Sequence, residues 1–174
     1  MGFRVQLIAV SGKELAEVHR DYGVVPTGRY EDVPDSPVLG ARLPSGAYLL
    51  FINDEIEPDD RIYARLSRGA TLVACYANET VMSSYACGWA DGGERWHVLH
   101  DFQQDANHLK VSGSAPSELP AIRNRLFRQQ AGVTDTDYVF DVPVELFVAL
   151  GGVRYDQDIP GAGPNPWEIL ERTR

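Results

Sequence analysis

The sequence predicts an α+β domain: an antiparallel β-meander as the central sheet, helices packed mainly on one face, and an N-terminal β-then-α unit joined to it. Three observations predict it. Four β-rich runs follow one another between residues 71 and 113, joined by turn chemistry. Capped helical runs lie on both sides of them in the chain. The 174 residues, 44% hydrophobic and 24% charged, match a chain that buries one core without staples, so residues 1–174 are read as a single domain.

Residues 4–10 alternate and are rich in β-formers, and Ser11 with Glu14 then provides the capping-box spacing that opens a helix. Leu15, Val18, His19 and Tyr22 share one face of that helix, which Gly23 ends. Residues 23–46 carry Pro26, Gly28, Pro34, Pro37, Gly40 and Pro44 with no sustained period. They are predicted to be a long loop, either a recognition surface or a packed connection. Residues 48–52 read as a buried strand. A helix follows, with Pro58 at its first position, Asp59 and Asp60 in the first turn, Arg65 and Arg68 in the last, and Gly69 as the stop.

The meander strands are expected at residues 71–77, 80–90, 94–101 and 108–113, with Asp91-Gly92-Gly93 as a strong hairpin turn and Asn78-Glu79 as a weaker one. Ser117 is read as the cap of a helix ending near Ala131, which buries Leu119, Ile122, Leu126 and Phe127 and leaves Arg123, Arg125 and Arg128 wet. Asp141 caps a further helix that Gly151-Gly152 stops; it is apolar nearly all round and so expected to be buried. The tail, residues 152–174, is predicted to end in a short helix signalled by Asn165, Pro166 and Glu168 and carrying Trp167, Ile169 and Leu170.

Sixteen Lys plus Arg against twenty-five Asp plus Glu gives a net charge of -9, without the basic stripe that phosphate backbones require. Nucleic acid is not an expected partner; a basic protein is. The chain start lacks the segments of a secretory signal, and the apolar stretch at residues 47–52 is far shorter than a membrane span, so a cytoplasmic setting without membrane insertion is expected. Cys75 and Cys87, the two cysteines, are read as small core residues. No phosphate-binding glycine loop, Gly-x-Ser-x-Gly elbow or His-Glu-x-x-His motif occurs.

His97, His100 and His108 lie close in sequence with Asp101 and Asp105. On a strand His97 and His100 point to opposite faces, whereas antiparallel pairing sets His100 beside His108. A third ligand is not evident, so neither a metal nor a cofactor is expected, and histidines that bond the turn are the commoner outcome. Tyr85, Cys87 and Trp89 share one strand face, and Trp96, Val98 and His100 share a face of the next. If those two faces meet, they form either an aromatic ligand pocket or core, with core favoured. Glu145 is the lone charge of an otherwise apolar stretch, which suits either a functional carboxylate or the helix dipole. Tyr85, Trp96, His100, Asp101, His108 and Glu145 are thus the candidate ligand-binding residues.

Two runs, 96–101 (WHVLHD) with 108–113 (HLKVSG), and 140–146 (FDVPVEL) with the later 154–160 (RYDQDIP), resemble a group of uncharacterised bacterial proteins. The resemblance covers roughly the C-terminal half and implies a bacterial, single-domain setting but no activity or site. The functional expectation is a non-enzymatic protein-binding module, an immunity-like or neutralising partner of a basic protein. The alternative is a small-ligand-binding or hydrolase-like enzyme with a pocket around His100 and His108.

Overall fold

A computed structural model describes residues 2–53 and 59–174. Strand β1 (Arg4–Ser11) is followed by helix α1 (Leu15–Tyr22), strands β2 (Val24–Glu31), β3 (Val38–Arg42) and β4 (Tyr48–Asn53), and helix α2 (Asp60–Leu66). Strands β5 (Thr71–Asn78), β6 (Ser83–Ala90), β7 (Gly93–Asp101) and β8 (Lys110–Gly113) form the predicted meander. Helices α3 (Leu119–Gln130) and α4 (Asp141–Ala149) and strand β9 (Trp167–Arg172) complete the chain.

The fold is α+β, built on one open antiparallel sheet of nine strands in the order β2-β9-β3-β4-β1-β5-β6-β7-β8. The meander extends this sheet on one side of β1. Asp91 and Gly92 both take positive φ, as the tight hairpin between β6 and β7 demands. β1 lies near the middle, bonded to β4 and β5, and is buried along both faces. Val5, Leu7 and Ala9 join the core under α4, while Ile8 and Val10 join the core under α1 and α2. The larger helical pair, α3 and α4, covers the β5–β7 part of one face. The smaller pair, α1 and α2, covers the other face, a second layer beyond the one the sequence led us to expect.

Two expectations for irregular or helical structure are corrected. Residues 23–46 are not one long loop: they hold β2 and β3. β2 pairs with β9, some 140 residues later, so no local period announced it, whereas β3 lies between β9 and the adjacent β4. Pro26 is tolerated because β2 is the last strand of the sheet and leaves one side of its backbone unpaired. Residues 167–172 form strand β9, which inserts between β2 and β3, instead of a terminal helix. Its alternation decides this: Trp167 and Ile169 pack in one core and Leu170 in the other.

The helix ends follow local chemistry. Gly23 stops α1 in the left-handed conformation, but Ser11 makes no cap; Glu14 occupies the N-cap position without a side-chain bond. Asp59 caps α2 by accepting from the Arg61 N–H at 2.9 Å. Pro58, expected at its first position, lies outside the described residues. Glu118, not Ser117, precedes α3, and Phe140, not Asp141, precedes α4. No helix among the described residues is long and apolar enough to cross a membrane.

Trp96 shows how tightly the α3/α4 face is filled. Its indole packs against Gly88 on the neighbouring strand, so that a Cβ at position 88 would lie within clashing distance of the indole nitrogen. Gly88→Ala is expected to destabilise the protein by about 1–3 kcal/mol through overpacking. Urea denaturation will show this as a lowered midpoint with an unchanged slope.

Candidate functional site

His100 is the residue around which the sequence gathers its candidate chemistry, and the fold buries it completely, at 0% exposure. Its Nδ1–H donates to the His108 carbonyl oxygen at 2.7 Å, which leaves Nε2 facing Asp137 Oδ2 at 2.8 Å. One proton must lie between that nitrogen and that oxygen, whichever carries it. The other Asp137 oxygen accepts the Phe140 N–H, so the carboxylate ties β7 to the turn that opens α4. Both ring nitrogens of His100 are engaged, and none is left for a substrate. The unit is a buried structural clamp.

His108 does approach His100, with ring centroids 6.5 Å apart, but its Nδ1 accepts the Asp101 backbone N–H at 3.0 Å. Asp101 in turn accepts from the Gln103 backbone N–H and the Gln104 side chain. These three residues therefore close the connection between β7 and β8. Glu145 is half-buried and ion-paired with Arg125, which joins α4 to α3. Trp96 is core, packed with Val98, Leu126 and Leu146.

Tyr85 is not brought to His100. The register pairs Ser84 with His100 and Tyr85 with Leu99, so Tyr85 emerges on the α1/α2 face and Trp96 and His100 on the other. There Tyr85 lines an open groove of about 700 Å³ with Tyr63, Glu94 and His97. Gln6, buried in β1, donates from Nε2 to the Tyr63 hydroxyl, which lies 2.7 Å from that of Tyr85. The His97 ring lies 5.0 Å from the Tyr85 ring. Burial lowers the His97 pKa, so its imidazole is neutral at pH 7. Cys75 and Cys87 are buried core residues, and burial pushes the Cys75 thiol up to about 12.

The cavity that sequence reasoning missed lies at the start of β1 and the end of β4, on the α4 face. Its volume is about 310 Å³, with Phe3 exposed at its edge, the buried core rings of Phe51, Tyr155 and Trp167 behind it, and a mouth bearing Asp35, Asp156 and Asp158. Each wall is braced. Glu79 accepts the Tyr155 hydroxyl at 2.7 Å with one oxygen and the Phe3 N–H at 3.0 Å with the other. Burial first, and the Glu79 bond second, holds the Tyr155 phenol well above its ordinary pKa. Phe51 and Trp167 meet edge to face at 5.3 Å. The turn carrying Val33, Pro34 and Asp35 is held from two sides. Glu31 accepts the Asp35 and Ser36 N–H groups, and Asn53 donates both amide hydrogens to the Pro34 and Ser36 carbonyls. The one available sequence signal was the run of acids at 156 and 158 beside Tyr155.

No protein-family model, curated protein or solved structure matches the chain.

Two outcomes follow from this chemistry. His100→Leu leaves the Asp137 carboxylate buried beside an apolar group and should cost about 3–5 kcal/mol in chemical denaturation. Asp137→Asn can still donate to Nε2 and accept from Phe140, so it should cost about 1 kcal/mol. The second outcome concerns pH. Burial lowers the pKa of both His19 and His97. The unfolded chain therefore takes up protons first as pH falls below about 6.5, and the folded state loses stability progressively below that value. The melting temperature should decline from pH 7.5 to pH 5.5, as read by circular dichroism. The decline should be shallower in His97→Gln.

Proposed function

We propose that this chain is a non-enzymatic binding module that docks a basic protein, as an immunity-like or neutralising partner would. The observation that carries the reading is the mouth of the aromatic cavity. Asp35 and Asp158 stand there without an ion-pair partner among the described residues, beside Phe3 at 45% exposure and Val33 at 59%. Asp156 is paired with Arg154 at 2.8 Å. Apolar anchors ringed by unpaired charge of one sign are what a partner of opposite charge recognises, and the net charge of -9 adds long-range attraction. A cytoplasmic bacterial setting is part of the proposal, supported by the resemblance of residues 140–160 to bacterial proteins. The small-ligand alternative keeps one supporting feature, the groove of Tyr85 and His97, which lies on the opposite face from His100.

Calorimetric titration with polylysine tests the docking reading, with polyglutamate as the control. Binding of polylysine alone, weakening as salt rises, is expected. Reversing the mouth with Asp35→Lys and Asp158→Lys together should weaken it by about tenfold or more without lowering the melting temperature. Equal affinity of the reversed and original proteins would refute the docking face.

A further inference from the structure

We infer that the docking face continues from the mouth along one end of the sheet, where Phe3, Val81 and Phe102 form an apolar row for a cationic amphipathic segment of the partner; the inference rests on the docking reading above. Eight large hydrophobic side chains are exposed among the described residues. Val25, Tyr30, Val111 and Val148 belong to β2, β8 and α4, and the four that lie outside helices and strands are Phe3, Val33, Val81 and Phe102. Strand pairing brings three of these together. Arg4 lies opposite Asn78, Asn78 opposite Ser83 and Ser83 opposite Asp101, so Phe3, Val81 and Phe102 stand just beyond one continuous rung across β1, β5, β6 and β7. Four adjacent strands at their ordinary spacing span about 14 Å. Val33 joins the row at the mouth, which it shares with Phe3.

The row is held from within the fold. The Glu79 N–H donates to the Phe3 carbonyl at 2.9 Å, the Phe3 N–H donates to the Glu79 carboxylate at 3.0 Å, and the Phe102 N–H donates to the Met82 carbonyl at 3.1 Å. Met82 takes a positive φ of 51° and packs against the core under α4, while Val81 beside it stays 38% exposed. The apolar tips are thus fixed before a partner arrives, which reduces the ordering cost of binding. Apolar side chains alone suit a lipid surface as well as a protein, so the charge around them decides. Asp35 and Asp158 at the mouth carry no ion pair among the described residues. Asp101 and Asp105 beside Phe102 accept hydrogen bonds within the β7–β8 connection but likewise have no cation paired with them. Of the cations at this end, Arg154 is already paired with Asp141 and Asp156, and Arg4 and Lys110 leave the balance negative. Such a rim repels an anionic membrane, whereas a segment that alternates apolar and basic side chains meets both the row and the rim.

A fluorescein-labelled peptide of alternating leucine and lysine, followed by anisotropy, tests the row against a serine–lysine peptide of equal length and charge. The leucine–lysine peptide should bind about tenfold tighter or more. Val81→Ser together with Phe102→Ser should weaken that peptide by about threefold to tenfold and leave the serine–lysine peptide unchanged. Both side chains are exposed and the Phe102–Met82 bond runs backbone to backbone, so the melting temperature should hold. If the pair lowers it, Phe102→Ser alone gives the same reading. Equal affinity of the two peptides for the original protein, or an unchanged leucine–lysine affinity in the variant, would overturn the row. So would phosphatidylcholine vesicles that bind the original protein and not the variant, since a lipid surface would then be the occupant. The two readings fail separately. Polylysine binding that Asp35→Lys and Asp158→Lys weaken, beside a leucine–lysine affinity indifferent to the Val81 and Phe102 changes, leaves the charged mouth standing and removes the row. A leucine–lysine peptide weakened by those changes while polylysine ignores the protein supports the row and removes the charged mouth.

Discussion

Strand β1 runs near the middle of the sheet with both faces covered, and its backbone is bonded on both sides, to β4 and to β5. Fully burying each of Leu7, Ile8 and Val10 contributes about 1.5–3 kcal/mol, and that contribution requires a layer on each side of the sheet. The two helical pairs provide those layers. Gln6 alone on β1 is a buried polar side chain, at 3% exposure, and it is accommodated because its amide reaches the Tyr63 hydroxyl on α2. The helix above the sheet is thereby tied to the strand beneath it by a directional bond as well as by packing.

The same rule explains His100. An imidazole and a carboxylate buried together are costly unless their nitrogens and oxygens find partners, and here each of the four atoms has one. The clamp joins three segments: the end of β7, the connection to β8, and the turn before α4. Histidine and aspartate in one neighbourhood looked like chemistry from the sequence, but complete hydrogen-bond satisfaction is the mark of a structural role. The aromatic cavity has the opposite character. Its hydrogen bonds brace the buried side from behind, through Glu79 and Glu31, while its mouth carboxylates at Asp35 and Asp158 have no ion-pair partner among the described residues.

The position of that cavity depends on long-range pairing. Trp167 reaches it because β9 enters the sheet between β2 and β3; Val33 and Asp35 reach it from the turn between those first strands; Tyr155 and Asp158 arrive from the segment after α4. Residues spanning almost the whole chain meet there. No motif of fixed spacing could encode such a site.

Local signals were legible for most elements whose partners were near in sequence, although β3, paired with the adjacent β4, was read as loop. The four meander strands, the Asp91-Gly92 turn, the stop at Gly23 and the buried stripe of α3 follow from alternation, capping and helical period, whereas α2 ends at Leu66, before the expected stop at Gly69. The opposed faces of His97 and His100 followed from the period of two. Only tertiary structure could decide the rest. Whether Tyr85 meets Trp96 and His100 depends on cross-strand register, and a shift of one residue reverses the face. Residues 24–31 and 167–172 are strands because each pairs with the other, across a separation that no window along the chain can see. The sequence by itself determined an acidic α+β chain with a central meander. Burial on both faces of β1 and the late insertion of β9 decided which side chains became core, which became clamp and which were left to line a cavity, because register and layering are collective properties of the whole sheet.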